Sequence, residues 1–248
     1  MSLNIQKHKT VDANNITFRD PKINPKYGNV TVPIWYGSSD DASPLVLQIP
    51  KMKAFVGVSS YDGDGPPKYS LPVSFCSAQE EAHKNLIKFF DDFDAAVVDA
   101  VCKNPSWIKK KKGTSRAVIE AFYTPCIRYP RDKETGEVTD RFPPNLKMKL
   151  LTNYETGEFR AKVFDKERQP LGSPDDSIPK GAIVSVLAEC TGLWVVNGKF
   201  GVSWRAEQIK VDSTPQRGAY AFEDDSDDSD DSDEEEEDDV EGDNDKDE

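Results

Sequence analysis

Three segments of the chain place cationic side chains next to aromatic rings. They are WIKKKKGTSR at 107–116, YTPCIRYPR at 123–131 and LWVVNGKFGVSWR at 193–205. Ammonium and guanidinium groups neutralise phosphates, while flat rings stack on exposed bases at about 1–3 kcal/mol per base. This combination predicts binding of single-stranded nucleic acid without readout of its sequence.

A second cationic pattern comes from two segments with period-two alternation, at 145–150 and 158–163, on either side of the turn YETGEF. In each segment apolar residues occupy one face and cations the other. If the apolar faces share a core, the four cations Lys147, Lys149, Arg160 and Lys162 share the opposite side. Like charges opposed across strands are unfavourable, which suggests a bound anion. A solvated face explains the pattern equally well.

Each cluster also has a simpler explanation. The lysine run is equally typical of a nuclear-import signal or a solvated loop. Trp204 shares its strand face with Phe200 and Val202, which favours core packing. Trp194 and Tyr129 lie beside predicted hairpins and are better stacking candidates. The predicted groove residues are Lys109, Lys110, Lys111, Lys112, Arg128, Tyr129, Arg131, Lys147, Lys149, Arg160, Lys162, Trp194 and Lys199.

The sequence shows no signature of catalysis. His8 and His83 have no plausible catalytic partner in sequence, and the phosphate-cradling, dinucleotide-binding and zinc-protease motifs are missing. The four cysteines lack metal-ligand or redox spacing, which favours free thiols in a reducing compartment. We therefore predict a non-enzymatic intracellular protein without cofactor or metal, and no apolar run suggests a membrane partner.

Charge divides the chain into two unlike parts. The whole chain has a net charge of −13, but Glu223–Glu248 contains 19 acids and one base, a net of −18, which leaves +5 for residues 1–222. After Phe222 there is one Val and no aromatic residue, so this segment cannot bury apolar surface and is predicted to be a disordered acidic tail. Such a tail could aid solubility, attract basic partners or imitate nucleic acid.

The elements that would position these residues are mostly strands. Short β-branched and aromatic runs broken by Pro and Gly occupy both halves, and YDGDGPPK at 61–68 is interpreted as a turn. A capping box at Ser77–Glu80, followed by apolar residues at three- and four-residue steps, predicts one helix over about 78–103. Asn197-Gly198 predicts a tight hairpin.

This order favours a mainly β fold, an OB-fold-like Greek-key barrel with one capping α-helix and a disordered acidic tail. The predicted divisions are a flexible N-terminus at 1–15, an OB-fold-like nucleic-acid-binding domain at 16–212 and the tail at 213–248.

The run CTGLWVVNGKFGVSWRAEQIKV at 190–211, with the capped helix and the acidic end, resembles a family of single-stranded DNA-binding proteins. These occur in large nucleocytoplasmic DNA viruses and are distantly similar to those of short-tailed phages. The resemblance is sharpest over Thr191–Val211 and looser over Ile16–Phe75, and the lysine run matches no family motif. The phage proteins end in an aromatic residue, whereas this chain ends Asp-Lys-Asp-Glu.

The resemblance implies an OB-type barrel, a basic groove lined with aromatic rings and an acidic tail. It further implies binding and protection of single-stranded DNA during replication, recombination or repair, with the tail recruiting replication proteins. The expected location is the host nucleus or a cytoplasmic viral replication site.

Two other functions remain open from the residues. In a histone-chaperone-like or assembly protein, the tail would bind basic proteins and the body would be a scaffold. An RNA-binding factor would use the same cations and rings, and nothing in the sequence reads the 2′-hydroxyl group.

Overall fold

A computed structural model describes residues 4–26, 28–38, 41–63, 65–75 and 80–215. The strands are β1 (Ile5–Lys7), β2 (Ile16–Phe18), β3 (Lys22–Ile23), β4 (Val30–Val32), β5 (Ile34–Tyr36), β6 (Ser43–Pro44), β7 (Val46–Ala54), β8 (Ser59–Gly63), β9 (Gly65–Ser74), β10 (Tyr123–Thr124), β11 (Ile127–Arg128), β12 (Asn145–Leu150), β13 (Lys162–Phe164), β14 (Ala182–Val196) and β15 (Lys199–Ser213). The helices are α1 (Glu80–Lys103), α2 (Arg116–Glu120) and α3 (Pro174–Ser177), with 3-10 turns at Ala13–Asn15 and Pro105–Ile108. The fold is mainly β, as predicted.

Five strands close on themselves to form the core of the molecule. Going round the ring, β7 pairs with β9, β9 with β12, β12 with β15, β15 with β14, and β14 with β7. Every pairing is antiparallel except that between β12 and β15, which is parallel. This arrangement is an OB-fold-like Greek-key barrel, and it confirms the predicted fold class.

The longest pairing in the barrel is the β14–β15 hairpin. Its two-residue turn has φ 51° at Asn197 and 78° at Gly198. Positive φ at both positions is what a type I′ turn requires, so the prediction from Asn-Gly is confirmed. Trp204 is 2% exposed, which confirms its assignment to the core.

Helix α1 connects β9 to β12 and packs against the barrel. Leu86, Phe90, Phe93 and Val97 are all fully or almost fully buried, as the three- and four-residue spacing predicts. The rings of Phe90 and Phe93 lie 5.3 and 5.6 Å from that of Trp204, between ring centroids. The helix thus seals the barrel around Trp204, and the predicted helix is confirmed except that Ser77–Gln79 of its capping box lie outside the described residues.

Both predicted ends of the domain contain regular structure close to them. The predicted N-terminal segment includes β1, in parallel pairing with β7, and a 3-10 turn in which Ala13 is buried. At the other end β15 includes Ser213, and residues 216–248 of the predicted tail lie outside the described residues. No helix among the described residues is long and apolar enough to span a membrane.

Gly192 in β14 provides a test of the barrel. Its φ is +102°, and an added Cβ would lie 2.5 Å from the carbonyl oxygen of Val32 in β4. Gly192→Ala is therefore expected to reduce the free energy of unfolding by about 2–4 kcal/mol, measured by urea unfolding, because backbone strain and overpacking add.

The matched control is Gly65→Ala, where an added Cβ has no neighbour within 4 Å and φ is not positive. It should change the free energy of unfolding by less than about 0.5 kcal/mol. Equal stability of the two variants would contradict the close approach of β14 to β4.

Candidate nucleic-acid interface

The parallel seam of the barrel has little backbone pairing, as does the join between β7 and β9. β12 and β15 are in register at one position, Lys149 opposite Arg205. To either side, β10 pairs with β15 at Phe200–Gly201 and β13 pairs with it at Gln208–Lys210. Between these contacts the strands part and leave a groove of about 480 Å³, with Val202, Ser203 and Trp204 in its lining. This volume lies within the range of roughly 300–1,000 Å³ typical of ligand sites.

Three predicted cations line this groove: Arg128 from β11, and Lys147 and Lys149 from β12. The alternation of β12 works as predicted, with Leu146, Met148 and Leu150 buried inside the barrel and the lysines outside. Within the part of the chain that the structure describes, none of the three cations forms a salt bridge, and no Asp or Glu lines the groove.

The groove destabilises one of its own charges. Partial burial lowers the pKa of Lys149, and the charge of Lys68 on β9 lowers it further. Arg205, by contrast, is paired with Glu189, at 2.9 Å between Nη2 and Oε2, and with Glu207. A phosphate in the groove would favour the charged form of Lys149 and offset its desolvation.

Trp194 supplies the aromatic surface. It lines the groove, is partly exposed and lies opposite Gly201 on β15. A Cβ on Gly201 would approach within 2.9 Å both the Trp194 ring, at Cζ2, and the carbonyl oxygen of Thr124. Glycine at 201 therefore leaves the indole room to lie against the strand.

One wall of the groove is the segment 124–128, anchored from helix α1. The Asp94 carboxylate accepts hydrogen bonds from the Tyr123 hydroxyl, at 2.6 Å, and from the Cys126 backbone N–H, at 3.0 Å. The Trp204 Nε1–H in turn donates to Cys126 Sγ at 3.4 Å. Burial raises the pKa of Asp94, although both hydrogen bonds oppose that shift. It also raises the pKa of the Cys126 thiol.

The lysine run and Lys199 are not part of the groove lining, but one residue of the run, Lys110, is held close to the start of β15. Lys110 Nζ is 4.2 Å from the centre of the Phe122 ring, and the Phe122 carbonyl accepts from the Phe200 N–H at 3.0 Å. Phe122 and Thr124 alternate with Tyr123, whose ring contacts that of buried Phe200. Phe122 therefore lies on the outer face that carries Trp194. This places Lys110 near the start of β15, at which Lys199 is the first residue.

Four other predicted residues lie outside the groove lining. Tyr129 is 40% exposed, and Arg131 donates to the Gly136 carbonyl at 2.9 Å within the loop after β11. Arg160 and Lys162 follow the predicted turn, across which Thr152 and Phe159 form an isolated bridge and the Arg160 N–H donates to the Leu151 carbonyl at 2.8 Å. β13 then pairs in parallel with β15, and Lys162 lines a separate cavity of about 770 Å³. The four alternating cations therefore do not converge on one groove.

Three residues on the outside of the barrel are not among the predicted groove residues: Lys22, Tyr61 and Lys68. Tyr61, interpreted as part of a turn, is 66% exposed in β8 and lies opposite Lys68 of β9. Lys22 of β3 pairs with Thr31, and Thr31 pairs with Trp194, so Lys22 is two strands from the indole on the same face. Lys22 gave no local signal, since distant pairings put it there. Tyr61 and Lys68 gave a weak signal, because an aromatic residue and a cation stand at the two ends of the segment YDGDGPPK.

Known proteins offer limited guidance. No family model matches the chain. An uncharacterized protein of Acanthamoeba polyphaga mimivirus is 24% identical over 166 residues, and the match covers 67% of this chain and 26% of that protein. The chain thus matches about a quarter of the length of this relative.

The solved structures that are similar to this chain include two proteins of phages. The single-stranded DNA-binding protein from bacteriophage Enc34, in complex with single-stranded DNA, is 14% identical, with 79% of this chain and 96% of that chain covered and a TM-score of 0.39. The single-stranded DNA-binding protein gp2.5 encoded by bacteriophage T7 is 13% identical, with 72% and 92% covered and a TM-score of 0.38. At such low identity, function has to be inferred from the residues of the groove.

Trp194 is the first residue to test. Trp194→Ala removes the ring at the groove and is expected to weaken binding of a fluorescently labelled oligo(dT) about 5- to 150-fold, the equivalent of about 1–3 kcal/mol. Tyr154→Ala is the control, because Tyr154 is 88% exposed and does not line the groove. An equal loss in both variants, in a fluorescence anisotropy titration, would contradict a specific role for Trp194.

Proposed function

We propose that this protein binds and protects single-stranded DNA, without sequence preference and without catalysing a reaction. The observation that carries the proposal is the convergence of Arg128, Lys147, Lys149 and Trp194, from the three strands β11, β12 and β14, in one groove. Sequence-independent binding of a single strand has two components, cations that contact the phosphates and an aromatic ring that stacks on the bases.

The composition of the groove favours an unpaired strand over a duplex. In a duplex, the faces of the bases are covered by their neighbours and an indole cannot stack on them without opening the helix. In a single strand each base has an accessible face, and stacking accepts any base. The binding is thus expected to depend on phosphate number and on the ring, with little readout of base edges.

The acidic segment gives the proposal its second part. Residues 1–222 carry a net charge of +5 and Glu223–Glu248 carries −18. The acidic segment therefore competes for the cations of the groove and attracts basic patches on replication proteins. The process served is DNA replication, recombination or repair, at a nuclear or cytoplasmic viral replication site.

The groove cations can be tested through the salt dependence of binding. Each phosphate contact to a single strand contributes a slope of about −0.7 to the plot of log K against log salt. Arg128→Gln combined with Lys147→Gln is therefore expected to weaken oligo(dT) binding and make the slope less steep by about 1.4. The measurement is a filter-binding series over a range of salt concentrations.

Lys166→Gln combined with Lys180→Gln is the control for this test. These lysines are exposed and precede β14 along the chain, at the end of that strand remote from Trp194. The control should keep the wild-type slope. If the wild-type protein showed no salt dependence, or did not bind oligo(dT), the proposal would fail and a chaperone-like function through the acidic segment would be favoured. Tighter binding to oligo(U) than to oligo(dT) would instead favour an RNA-binding factor.

Removal of the acidic segment tests the competition. Deletion of Glu223–Glu248 is expected to tighten oligo(dT) binding at low salt by roughly tenfold, because the local competitor is gone, and to weaken binding to basic replication proteins. A variant of full length with its Asp and Glu in this segment changed to Asn and Gln should behave like the deletion. Affinity at low salt equal to that of the wild type would exclude the competition.

A further inference from the structure

We propose that Asp94 is a positioning residue for the binding of single-stranded DNA. It holds in place the segment 124–128, which forms one wall of the groove, although its own negative charge would repel the phosphates. This inference rests on the proposed function of the groove. Its basis is the pair of hydrogen bonds that Asp94 accepts, from the Tyr123 hydroxyl and from the Cys126 backbone N–H.

The two bonds fix both ends of a short segment. Tyr123 belongs to β10, which pairs with β15, and Cys126 immediately precedes β11, which pairs with β12. The residues between them, Thr124 and Pro125, line the groove and cross the gap between β15 and β12. Asp94 therefore ties this crossing to helix α1 at the point where the two strands are not paired to each other.

The wall carries one of the three groove cations. Arg128 lies two residues after Cys126 and opposite Asn145 of β12, whose side-chain amide donates to the Arg128 carbonyl at 3.4 Å. β11 has only two residues in register with β12, so its hold on the barrel is short. The Cys126–Asp94 bond supplies a second attachment and fixes where the Arg128 backbone enters the groove.

The geometry favours a carboxylate. One oxygen accepts from an O–H and the other accepts from an N–H. An asparagine at 94 can accept from the Cys126 N–H, but its NH₂ group would then donate to the Tyr123 oxygen, and the Tyr123 O–H would lose its acceptor. Asp94→Asn thus keeps the size of the side chain but replaces two charge-assisted hydrogen bonds with weaker neutral ones and loosens the wall.

The expected result has the opposite sign from simple electrostatics. Removal of a negative charge near a polyanion site should tighten binding, whereas loss of the wall should weaken it. We expect Asp94→Asn to bind oligo(dT) about 5- to 10-fold more weakly than the wild type. Its log–log salt slope should be less steep by about 0.7, equivalent to one phosphate contact.

Asp91→Asn is the matched control, on the same helix and with the same change of charge. The Asp91 side chain is exposed and one turn before Asp94. This variant is expected to bind as tightly as the wild type or slightly more tightly, with an unchanged slope. Weaker binding by Asp91→Asn to the same extent as by Asp94→Asn would overturn the positioning role.

A double-mutant cycle separates positioning from general stability. If Asp94 acts through Arg128, then Arg128→Gln should weaken binding less in the Asp94→Asn background than in the wild type. All titrations are made on the full chain at a temperature where circular dichroism shows each variant folded. Additive effects, or wild-type affinity and slope in Asp94→Asn, would overturn the inference.

Tyr123→Phe provides a second route if Asp94→Asn does not fold. It removes one hydroxyl and leaves the Cys126 bond intact, and should weaken binding about 2- to 5-fold. Wild-type affinity in Tyr123→Phe would count against the inference. Failure of the wild-type protein itself to bind oligo(dT) would refute the proposed function, a result that cannot be confused with failure of Asp94 as a positioning residue.

Discussion

Closure of the barrel through a single register position is the constraint on which the site depends. β12 and β15 meet at Lys149 and Arg205, and then β15 takes other partners on each side. A seam with so little backbone pairing exposes polar backbone unless side chains cover it or a ligand enters. Here Trp204 closes the seam from within and is almost fully buried, while cations stand along its outer edge. The same gap therefore gives the barrel one of its least paired joins and its groove.

Helix α1 stabilises this seam in two ways. Phe90 and Phe93 pack against Trp204 and keep the floor of the groove in the core. One residue after Phe93, Asp94 turns from that apolar stripe toward the wall and accepts two hydrogen bonds. The helix therefore contributes hydrophobic burial and a buried polar contact at adjacent positions. Because the floor and the wall share one helix, the shape of the groove is coupled to the packing of the core.

Local pattern predicted those features that depend on local geometry. The Asn197-Gly198 turn, the buried face of β12 and the stripe of α1 follow from φ preferences and from periods of 2 and 3.6, and the structure confirms all three. The burial of Trp204 was predicted in the same way, from its strand face. Each of these features follows from the backbone preference or the periodicity of a short stretch of sequence, although the packing that stabilises β12 and α1 comes from distant strands.

The residues that local pattern misplaced are those positioned by pairing between distant strands. Lys162 alternates as β12 does, but β13 joins β15 in parallel and leaves the predicted hairpin after one bridge. Lys22 comes near Trp194 through two successive pairings that no spacing reveals. Asp94 was hidden among the charges of α1, because a helical charge that faces a wall cannot be distinguished in sequence from one that faces water.

Charge and ring have separate roles in the groove. Arg128, Lys147 and Lys149 attract any polyanion, and Lys149, whose pKa is lowered by burial and by Lys68, is stabilised by a phosphate or a carboxylate alike. The cations alone therefore cannot distinguish DNA from the acidic segment of this chain. Trp194 can, because an indole stacks on a base and gains little from an aspartate or glutamate side chain. Salt weakens the attraction of the cations for DNA and for the acidic segment alike, and leaves stacking on Trp194 largely unchanged. Under the proposed function, preference for nucleic acid over the acidic segment would come from the ring, for which the glycine at 201 leaves room.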